Sequence, residues 1–551
     1  MNRKLAEYLF PHIKTTPADL EVKFPKRTLS EGKKVTRLGP SPTGFIHLGN
    51  LYGAFVDERL AHQSGGIFYL RIEDTDNKRY VEGAAEKIID ALSFFDINFD
   101  EGALKGGEKG DYGPYRQSER EDIYKVYVKD LVARGVAYPC FLTEKEVGDI
   151  REKQEAEKLV PGIYGKYALH RSLSFEDIKN RIERGEEYVV RLASAGREGE
   201  SGKKIEVRDA VRGSLEMPEN FQDVVILKAN GIPTYHFAHV VDDHLMRTTH
   251  VVRGEEWLSS LPIHIELFNV LGFKEPVYCH TAQLMKIDEE GNKRKLSKRL
   301  DPELALDFYR EQGFHSNALR EYLLTVLNSN YEEWRAENPY VSSDEFQFSL
   351  EKMSKSGTLF DLDKLKDVSK DALLRTDASE LADFLLSWAK EFEPEFYEVA
   401  KNDREKLSLI LDIGRKDKKP RKDLIYGKQI IGFIGYFYEK YFKTEDSLPK
   451  EISAEDGKNI LEMYIQNYSL KDDNETWFGK IREISVKLGF AAKPKDYKKN
   501  PEDYKGHVGH VSTVIRLAVT GRSQSPDLWE IQRILGEEEI KKRIENFKNT
   551  L

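Results

Sequence analysis

The chain has 551 residues, enough for three or four domains at ~150 residues each. Charged residues make up 33% and aromatic residues 11%, and 86 Lys and Arg stand against 95 Asp and Glu, a net charge of -9. This composition excludes a disordered chain and argues against a basic coat for indiscriminate nucleic-acid binding. No run approaches the ~18 apolar residues of a membrane-spanning helix, so we expect no membrane association.

The cysteine content and the N-terminus bear on the compartment. Only Cys140 and Cys279 are present, far apart, so neither a disulfide framework nor a four-cysteine metal site can be drawn. The first 20 residues alternate charges with single hydrophobic residues and lack the apolar core of a signal peptide. Two cysteines are typical of a reducing compartment, and we expect a cytoplasmic chain.

The first elements follow a charged extension of 32 residues that three prolines interrupt. A strand pattern at 35–38 leads through a glycine-rich loop to a helical pattern at 48–62. A second strand pattern at 67–72 and a helix at 81–95 come next. Alternating strands and helices predict a parallel α/β domain.

The rest of the chain changes character twice. Helical patterns at 120–134 and 174–184, strand patterns at 188–192 and 224–227, and a charged, glycine-rich surface loop at 196–204 predict an inserted α+β domain.

The α/β pattern then resumes at 234–241 and 249–253. Beyond residue 302 strand patterns fade and amphipathic helices dominate, such as one helix predicted over 528–547. The C-terminal third is therefore predicted to be all-helical.

The first informative motif lies between the first strand and the first helix. Residues 40–50 are Pro-Ser-Pro-Thr-Gly-Phe-Ile-His-Leu-Gly-Asn, with His47 and Gly49 at the start of the helix. A helix N-terminus offers unpaired N–H groups and partial positive charge, and glycine lets a phosphate approach the backbone. The motif favours an anion site, although alone it is equally typical of an ordinary tight connection.

The second motif is basic. Residues 293–299 are Lys-Arg-Lys-Leu-Ser-Lys-Arg, in which Lys295 and Lys298 carry ammonium groups that can neutralise charge developing on a transferred nucleotide. Such a segment is otherwise a solvated loop. The two motifs together are much stronger evidence than either alone.

These two segments resemble the HIGH and KMSKS signatures of class I aminoacyl-tRNA synthetases. Within that class, residues 71–76, 113–120, 241–244 and 252–257 (RIEDTD, GPYRQSER, VDDH and VRGEEW) resemble segments of bacterial-type glutamyl-tRNA synthetases. The six motifs follow the order of the family from about residue 34.

The resemblance implies a fold. It is a Rossmann-like class I synthetase catalytic domain of the α/β class with an inserted α+β acceptor-binding domain, followed by an all-α anticodon-binding region. The expected parts are an extension at 1–32, the first catalytic half at 33–115, the acceptor-stem-binding insert at 116–230, the second catalytic half at 231–290, a stem-contact region with the KLSKR loop at 291–370 and the anticodon-binding domain at 371–551.

The resemblance also implies a pocket for L-glutamate. Its residues would be Arg37, Gly39, Ser41, Glu73, Tyr235, His239 and Arg253. Glutamate has two carboxylates and one ammonium, which suits two guanidiniums for bidentate pairing and Glu73 with the Ser41 hydroxyl for the ammonium. Which arginine takes which carboxylate stays open.

For ATP, the resemblance implies His47 and Gly49 at the phosphates, Trp257, Leu284 and Met285 near adenosine, and Lys295 and Lys298 on a mobile loop. His47, Lys295 and Lys298 form the expected catalytic set. The substrate carboxylate attacks the α-phosphorus and expels pyrophosphate, and a terminal ribose hydroxyl of tRNA then takes the glutamyl group. Because no protein nucleophile is needed, catalysis is alignment and charge stabilisation, assisted by Mg²⁺.

Some positions depart from the family pattern. A literal Lys-Met-Ser-Lys-Ser at 352–356 matches the consensus better than 295–299, but it precedes 357–365, which resembles the entrance to the anticodon-binding region, so we reject it as catalytic. Asn50 replaces the second histidine of HIGH, which we expect to cost little. His239 stands where relatives often carry Asn and introduces possible titration near neutral pH.

A zinc site is not expected. Some relatives bind zinc in the insert through a Cys-x-Cys pair and a downstream pair, but here only Cys140 and the further candidate His170 remain. One cysteine and one histidine cannot close a tetrahedral site, so we predict no metal held by the protein itself.

The C-terminal region contains segments that resemble an anticodon-reading face: Arg516, Ser525, Pro526, Leu528 and Trp529. An arginine and an aromatic ring suit unstacked bases, although Leu528 and Trp529 could equally be helix core. Residues 415–428 carry seven basic and two acidic side chains and are a candidate phosphate contact.

The leading hypothesis is a monomeric glutamyl-tRNA synthetase that charges tRNA(Glu); whether it also charges tRNA(Gln) stays open. Arg253 disfavours a glutaminyl-tRNA synthetase, since it suits a carboxylate better than an amide. The full helical C-terminal region disfavours a truncated paralogue that glutamylates a modified tRNA base. The alternative from another class is a catalytically inactive tRNA-binding or regulatory paralogue, and the intact ATP motifs speak against it.

Overall fold

The computed structural model describes residues 2–42, 46–75, 81–196, 203–297 and 299–551. The chain forms two compact units, Met1–Phe308 with Arg320–Leu362 and Tyr309–Leu319 with Asp363–Leu551. Within the described ranges, no helix is long and apolar enough to cross a membrane.

The strands of the described residues run from Val35 to Leu359. In chain order they are β1 Val35–Leu38, β2 Ile67–Leu70, β3 Glu101–Leu104, β4 Gly107–Lys109, β5 Ala137–Cys140, β6 Val189–Leu192, β7 Lys204–Asp209, β8 Gly213–Pro218, β9 Val225–Leu227, β10 His250–Gly254, β11 Val277–Thr281, β12 Leu284–Ile287, β13 Lys293–Lys295 and β14 Thr358–Leu359.

The α-helices are α1 Asn2–Leu9, α2 Pro17–Lys23, α3 Leu48–Gln63, α4 Ala84–Phe94, α5 Glu121–Arg134, α6 Glu144–Ala156, α7 Phe175–Glu183, α8 Tyr235–Leu245, α9 Leu261–Leu271, α10 Leu306–Gln312, α11 Ser316–Leu327, α12 Tyr331–Glu337, α13 Leu362–Arg375, α14 Ala378–Phe392, α15 Pro394–Ala400, α16 Arg404–Asp412, α17 Gly427–Ile434, α18 Ala454–Asn467, α19 Asn474–Lys487, α20 Pro494–Lys499, α21 Val508–Thr520, α22 Leu528–Leu535 and α23 Glu537–Thr550.

Two sheets lie side by side in the first unit. One has the order β1-β2-β3-β4 and the other β10-β11-β7-β8, and the first three strands of each are parallel. Their edges meet where the Thr249 N–H donates to the Val35 carbonyl oxygen at 2.9 Å. From β1 the chain continues to β2 on one side, and from β10 it continues to β11 on the other. The carboxyl ends of β1 and β10 therefore flank a crevice of the kind in which open α/β sheets bind ligands.

Helix α3 packs against the strands on both sides of this crevice. It packs against β1, β2 and β10, and its residues Leu48, Leu51 and Phe55 are buried. Every residue of β1 is buried as well, because a parallel sheet is covered on both faces. This explains why the strand at 35–38 and the helix at 48–62 were readable in the sequence.

A third sheet of the unit has the order β5-β6-β9, and its strands are antiparallel. The hairpin β7–β8 follows β6 in the chain but does not join this sheet, since β7 pairs with β11. Part of the surface loop predicted at 196–204 lies outside the described residues, namely 197–202, and Lys204 already belongs to β7.

The N-terminal extension is folded onto the first unit. Lys129 on α5 donates to the carbonyl oxygen of Ile13 at 2.7 Å, and Arg27 pairs with Glu101 of β3 at 2.7 Å. The Tyr112 hydroxyl donates to the carbonyl oxygen of Pro25 at 3.0 Å. The extension is thus bound to β3 of the first sheet and to α5.

The second unit is helical, and no strand occurs in the described chain beyond Leu359. One apolar core, which includes Leu385, Trp388 and Ile515, joins its helices. The single helix predicted over 528–547 is wrong, since α22 ends at Leu535 and α23 begins at Glu537. Gly536 has φ 83 and ψ 160, a conformation outside the helical region that is essentially restricted to glycine.

Candidate active site

A cavity of about 960 Å³ opens at the carboxyl ends of β1 and β10. It contains residues predicted for glutamate together with residues predicted for ATP. The predicted residues that line it are Arg37, Gly39, Ser41, His47, Gly49, Glu73, Tyr235, Arg253, Trp257, Leu284 and Lys295.

The start of α3 forms one wall. His47 is the N-cap residue, and its backbone N–H donates to Oδ1 of Asn50 at 3.0 Å. Asn50, the departure from the HIGH pattern, thus stabilises the helix start. A Cβ on Gly49 would lie 2.9 Å from His47 Nδ1, so only glycine leaves the imidazole in place. Burial lowers the pKa of His47, which makes it a neutral hydrogen-bonding group at the positive end of a helix.

A network of buried charged side chains lies beneath the floor of the cavity. Asp243 Oδ1 accepts from Arg71 Nη1 at 2.6 Å, and Arg37 Nε lies 3.4 Å from the same carboxylate. Arg71 also donates through Nη2 to Glu73 at 2.8 Å. Although burial disfavours its charge, Arg71 and Arg37 hold the pKa of Asp243 well below its usual range.

Glu73 faces the cavity from this network. A Cβ on Gly39 would lie 2.4 Å from its Oε1, so the glycine after β1 provides room for the carboxylate. Burial raises the pKa of Glu73 in spite of Arg71 and Arg37. A cationic group of a ligand at this position would be stabilised by the carboxylate.

Arg253, on β10, supplies the second guanidinium. Its Nε donates to Nε2 of His280 at 2.9 Å and its Nη1 to Nδ1 of His264 at 3.0 Å. Its Nη2 is buried and has no hydrogen-bond partner in the described part of the chain. No carboxylate of those residues forms an ion pair with it either. The cavity therefore holds a cation with an unused donor, which suits an anionic ligand.

An aromatic wall completes the cavity. The rings of Tyr235 and Trp257 lie 4.5 Å apart, and His239 stacks behind Tyr235 with an interplanar angle of 11°. His239 is fully buried and does not line the cavity. Its Nε2 contacts the Tyr278 hydroxyl at 3.1 Å, and its Nδ1 lies 2.7 Å from Asp243 Oδ2, outside hydrogen-bonding angles.

The expected titration of His239 near neutral pH is wrong. Burial lowers the pKa of His239 to about 3, because the apolar surroundings penalise the imidazolium more than Asp243 favours it. The side chain is neutral at physiological pH and supports Tyr235 from behind.

The basic segment lies at the mouth of the cavity. Lys295 is the last residue of β13, which pairs antiparallel with β12, and Leu284 of β12 also lines the cavity. Met285 does not line it, and its side chain lies against Gly357. Lys298 lies outside the described residues.

Asp301 fixes the segment around Lys295. It accepts from Arg294 at 2.6 and 2.8 Å and from the backbone N–H of Ser297 at 2.8 Å. The literal KMSKS string at 352–356 ends just before β14, which pairs with the other edge of β12, and contributes no residue to the cavity lining.

The second unit has a cavity of its own, of about 380 Å³. Ser525 and Pro526 line it together with Arg421 from the basic run, Tyr436 and Arg522. The other residues predicted to read the anticodon do not line this cavity. Arg516 donates to Ser525 Oγ at 3.0 Å, Leu528 belongs to the helical core, and the indole N–H of Trp529 donates to the Asp472 carbonyl oxygen at 3.0 Å.

Sequence reasoning missed the groups behind the cavity. Asp243 belongs to the segment VDDH but has no role that the sequence indicates, and no motif marks His264, His280 or Asp209. The one available signal was a histidine within the apolar strand 277–281, and a lone buried histidine has many structural roles.

No cluster of three or more His, Cys, Asp and Glu side chains within the described ranges could hold a metal ion. Cys140 and Cys279 are buried free cysteines. His170 accepts the Phe141 backbone N–H at 3.1 Å, so its ring serves the insert's structure.

Comparison with known proteins agrees with this geometry. A family model described as the catalytic domain of class I tRNA synthetases (E and Q) matches residues 33–367, and one described as an anticodon-binding domain matches 498–548. A glutamate–tRNA ligase of Acetivibrio thermocellus is 59% identical over 546 residues, covering 99% of both chains, and one of Clostridium perfringens (strain SM101) is 49% identical, covering 98% of this chain and 99% of the relative. The crystal structure of a glutamate tRNA ligase from Elizabethkingia meningosepticum in complex with its amino acid superposes with a TM-score of 0.72 at 29% identity, covering 94% of this chain and 100% of that one.

Proposed function

The chain belongs to the class I tRNA synthetases for glutamate and glutamine, and on that premise we propose that it is the ATP-dependent ligase that attaches L-glutamate to the 3' end of tRNA(Glu). The observation that carries glutamate rather than glutamine is Arg253, a buried guanidinium with a free donor and no ion-pair partner in the described chain. Full-length relatives described as glutamate–tRNA ligases agree, and they give no support to an inactive paralogue.

The reaction has two steps. An oxygen of the glutamate α-carboxylate attacks the α-phosphorus of ATP, the bond to the β-phosphate oxygen breaks, and pyrophosphate leaves. A ribose hydroxyl at the tRNA terminus then attacks the carbonyl carbon, and AMP leaves with the electron pair of the anhydride bond. The protein contributes alignment and electrostatic stabilisation, as in other phosphoryl transfers.

The glutamate site is proposed at the floor of the cavity. Arg37 and Arg253 take the two carboxylates, and Glu73 with the Ser41 hydroxyl takes the ammonium. The charges support this assignment, since Arg37 shares its carboxylate Asp243 with Arg71 and Glu73 is buried beside Gly39. Tyr235 closes the site, with His239 as its support rather than a ligand contact.

The ATP site is proposed between the start of α3 and β13. His47 and the backbone at Gly49 receive the phosphates, Trp257 and Leu284 contact the adenosine, and Lys295 with Lys298 neutralises the charge that develops as pyrophosphate leaves. Met285 is assigned to holding β12 against Gly357.

Magnesium would enter with the phosphates of ATP. Mg²⁺ commonly binds through substrate phosphates and one or two carboxylates, and Glu256 is the carboxylate in the cavity lining that lies near His47. The donor set therefore fits an ATP-bound Mg²⁺, which would supply charge neutralisation at the phosphates.

The second unit is proposed to bind the anticodon. Its cavity contains Arg421, Arg522 and Tyr436, whose guanidiniums and ring can hold an unstacked base, beside the carboxylates of Asp417, Asp423 and Asp527. Within the anticodon-binding family match, Arg516 is proposed to position Ser525. Leu528 and Trp529 are assigned to packing, since Leu528 is buried in the core and Trp529 bonds the backbone.

The remaining proposals are a monomeric state, a cytoplasmic location and the parts of the chain expected at 33–115, 116–230, 231–290, 291–370 and 371–551. The two buried free cysteines fit a reducing compartment.

The proposal is tested by charging purified tRNA(Glu) and tRNA(Gln) with labelled glutamate and ATP. Charging of tRNA(Glu) is the expected result, and charging of tRNA(Gln) as well would define a non-discriminating enzyme. Incorporation of labelled glutamine in place of glutamate, or of neither amino acid, would overturn the proposal.

A further inference from the structure

The guanidinium of Arg253 is held from behind by two histidines rather than by a carboxylate. His280, on β11, accepts from Nε at 2.9 Å, and His264, on α9, accepts from Nη1 at 3.0 Å. Both imidazoles are fully buried, and Arg253 itself is 8% exposed, at the floor of the cavity. Two of its donors are thus fixed, and Nη2 is buried without a hydrogen-bond partner among the described residues, with the Tyr235 side chain as a polar neighbour of the guanidinium.

The tautomer of His280 is set by its other neighbour. Its Nδ1 lies 2.7 Å from Oδ2 of Asp209, an acceptor, so Nδ1 carries the proton and Nε2 is free to accept from Arg253. Asp209 is itself fixed, because its Oδ1 accepts the backbone N–H groups of Val211 and Arg212 at 2.9 and 2.8 Å.

His264 follows the same logic. Its Nδ1 accepts from Arg253, so its proton is on Nε2, which lies 2.9 Å from Nδ1 of His236. Protonation of either ring would turn an N–H toward the guanidinium. Burial accordingly lowers the pKa of His280, and that of His264 lies well below its usual range.

The two arginines of the cavity, Arg37 and Arg253, therefore differ in whether a carboxylate lies beside them. Arg37 has Asp243 at 3.4 Å, whereas the described residues offer Arg253 no ion-pair partner, and its guanidinium lies 4.8 Å from the neutral Tyr278 ring. A neutral acceptor fixes one N–H of a guanidinium without neutralising its charge, whereas a carboxylate in the same place would compensate that charge.

We propose that His264 and His280 are positioning residues that orient Arg253 as neutral acceptors, so that its uncompensated charge selects the substrate's carboxylate over an amide of the same shape. This inference rests on the proposed function, since it takes glutamate as the occupant. Specificity arises because glutamine would leave a desolvated guanidinium without a counter-charge.

An isosteric pair of substitutions tests the role of charge. In His264→Asn the side-chain oxygen can replace Nδ1 as a neutral acceptor, and in His264→Asp the same oxygen carries a negative charge. We expect His264→Asn to keep the KM for glutamate within about threefold, and His264→Asp to raise it on the order of tenfold or more, because the added carboxylate neutralises Arg253.

Two further readouts separate this effect from a general loss of structure. The KM for ATP should be unchanged in both variants. The ratio of the inhibition constant of glutamine to the KM for glutamate should fall on the order of tenfold in His264→Asp and should not change in His264→Asn. Thermal unfolding checks that both fold. If His264→Asp does not fold, the same comparison of a neutral with a charged acceptor is made with His280→Gln and His280→Glu, which replace the Nε2 atom that accepts from Arg253.

The matched control is His250→Asn, on the same strand as Arg253, where the histidine contacts Thr249 instead of the guanidinium. It should leave both KM values unchanged. Equal KM values for glutamate in the Asn and Asp variants would overturn the inference while wild-type charging remains. Wild-type protein that charges no tRNA with glutamate would instead overturn the proposed function.

Discussion

Asp243 is the residue on which the floor of the active site depends. It is 2% exposed and pairs with Arg71 and Arg37, while Thr248 donates to it at 3.2 Å. A buried carboxylate between two arginines is stable only because each charge compensates another. The residue was part of a recognisable motif, but its role depends on side chains that lie over 170 positions apart in the chain.

We expect Asp243→Asn to lower the free energy of unfolding by about 3–5 kcal/mol, because buried Arg37 loses its ion-pair partner and buried Arg71 loses one of its carboxylates and keeps Glu73. Denaturant unfolding measures the change. The control is Asp90→Asn, which breaks an exposed pair with Lys105 and should stay within about 1 kcal/mol. Equal losses in the two variants would show that the buried network has no special stabilising role.

His239 gives a pH prediction. Its pKa of about 3 lies far below the assay range, so the ring stays neutral between about pH 5 and 8. The pH profile of the KM for glutamate should therefore have the same shape in the wild type and in His239→Asn. A step near pH 6.5 that the variant lacks would mean that the imidazole titrates after all.

At the residue scale, the sequence predicted the side chains that face the cavity but not those behind it. Arg37, Glu73, His47 and Lys295 stand in short motifs whose spacing is set by one strand, one turn or one loop. His264 and His280 act through Arg253 from a different helix and strand. No local pattern marks such contacts, because they depend on tertiary packing.

At the scale of elements, Gly536 separates α22 from α23. The apolar pattern of 528–547 continues across the glycine, so periodicity alone predicted one helix. Among the sheets, β1, β2 and β9 were readable from the sequence, whereas β4, β13 and β14 have two or three residues each and carry no usable periodicity.

Gly536→Ala should destabilise the protein by about 1–3 kcal/mol, since φ 83 with ψ 160 is a conformation that alanine avoids. No atom lies within 4 Å of the added Cβ, so strain and not a clash is the cause. Chemical denaturation gives the value.

The matched control is Gly479→Ala in the middle of α19, where the added Cβ also meets nothing within 4 Å. Here the helical backbone suits alanine, and stability should rise by about 0.5–1 kcal/mol. The same sign of change at both sites would contradict the assignment of a helix break at Gly536.

At the scale of the whole molecule, the chain consists of two compact units of different construction. The first contains the α/β cavity with its two arginines, and the second contains a helical core with a cavity lined by both basic and acidic side chains. Net charge is -9, so affinity for a nucleic acid depends on local basic surface and not on the protein's overall charge.

The fold class and the order of its parts could be predicted at this scale, since six motifs in family order cover much of the first unit. The family comparisons confirm the class I synthetase fold with a helical C-terminal region. The pairing of β7 with β11 could not be predicted, because it joins segments separated by the strand of another sheet.

The most direct test of the active-site assignment compares the two lysine motifs of the chain, at 295–299 and 352–356. Charging of tRNA(Glu) with labelled glutamate is measured for the wild type, Lys298→Ala and Lys355→Ala, the second replacement being at the equivalent position of the KMSKS string that lies outside the cavity lining. We expect Lys298→Ala to lower kcat on the order of a hundredfold and Lys355→Ala to leave it within about twofold. The reverse pattern, or no charging by the wild type, would contradict the assignment of the active site to the crevice between β1 and β10.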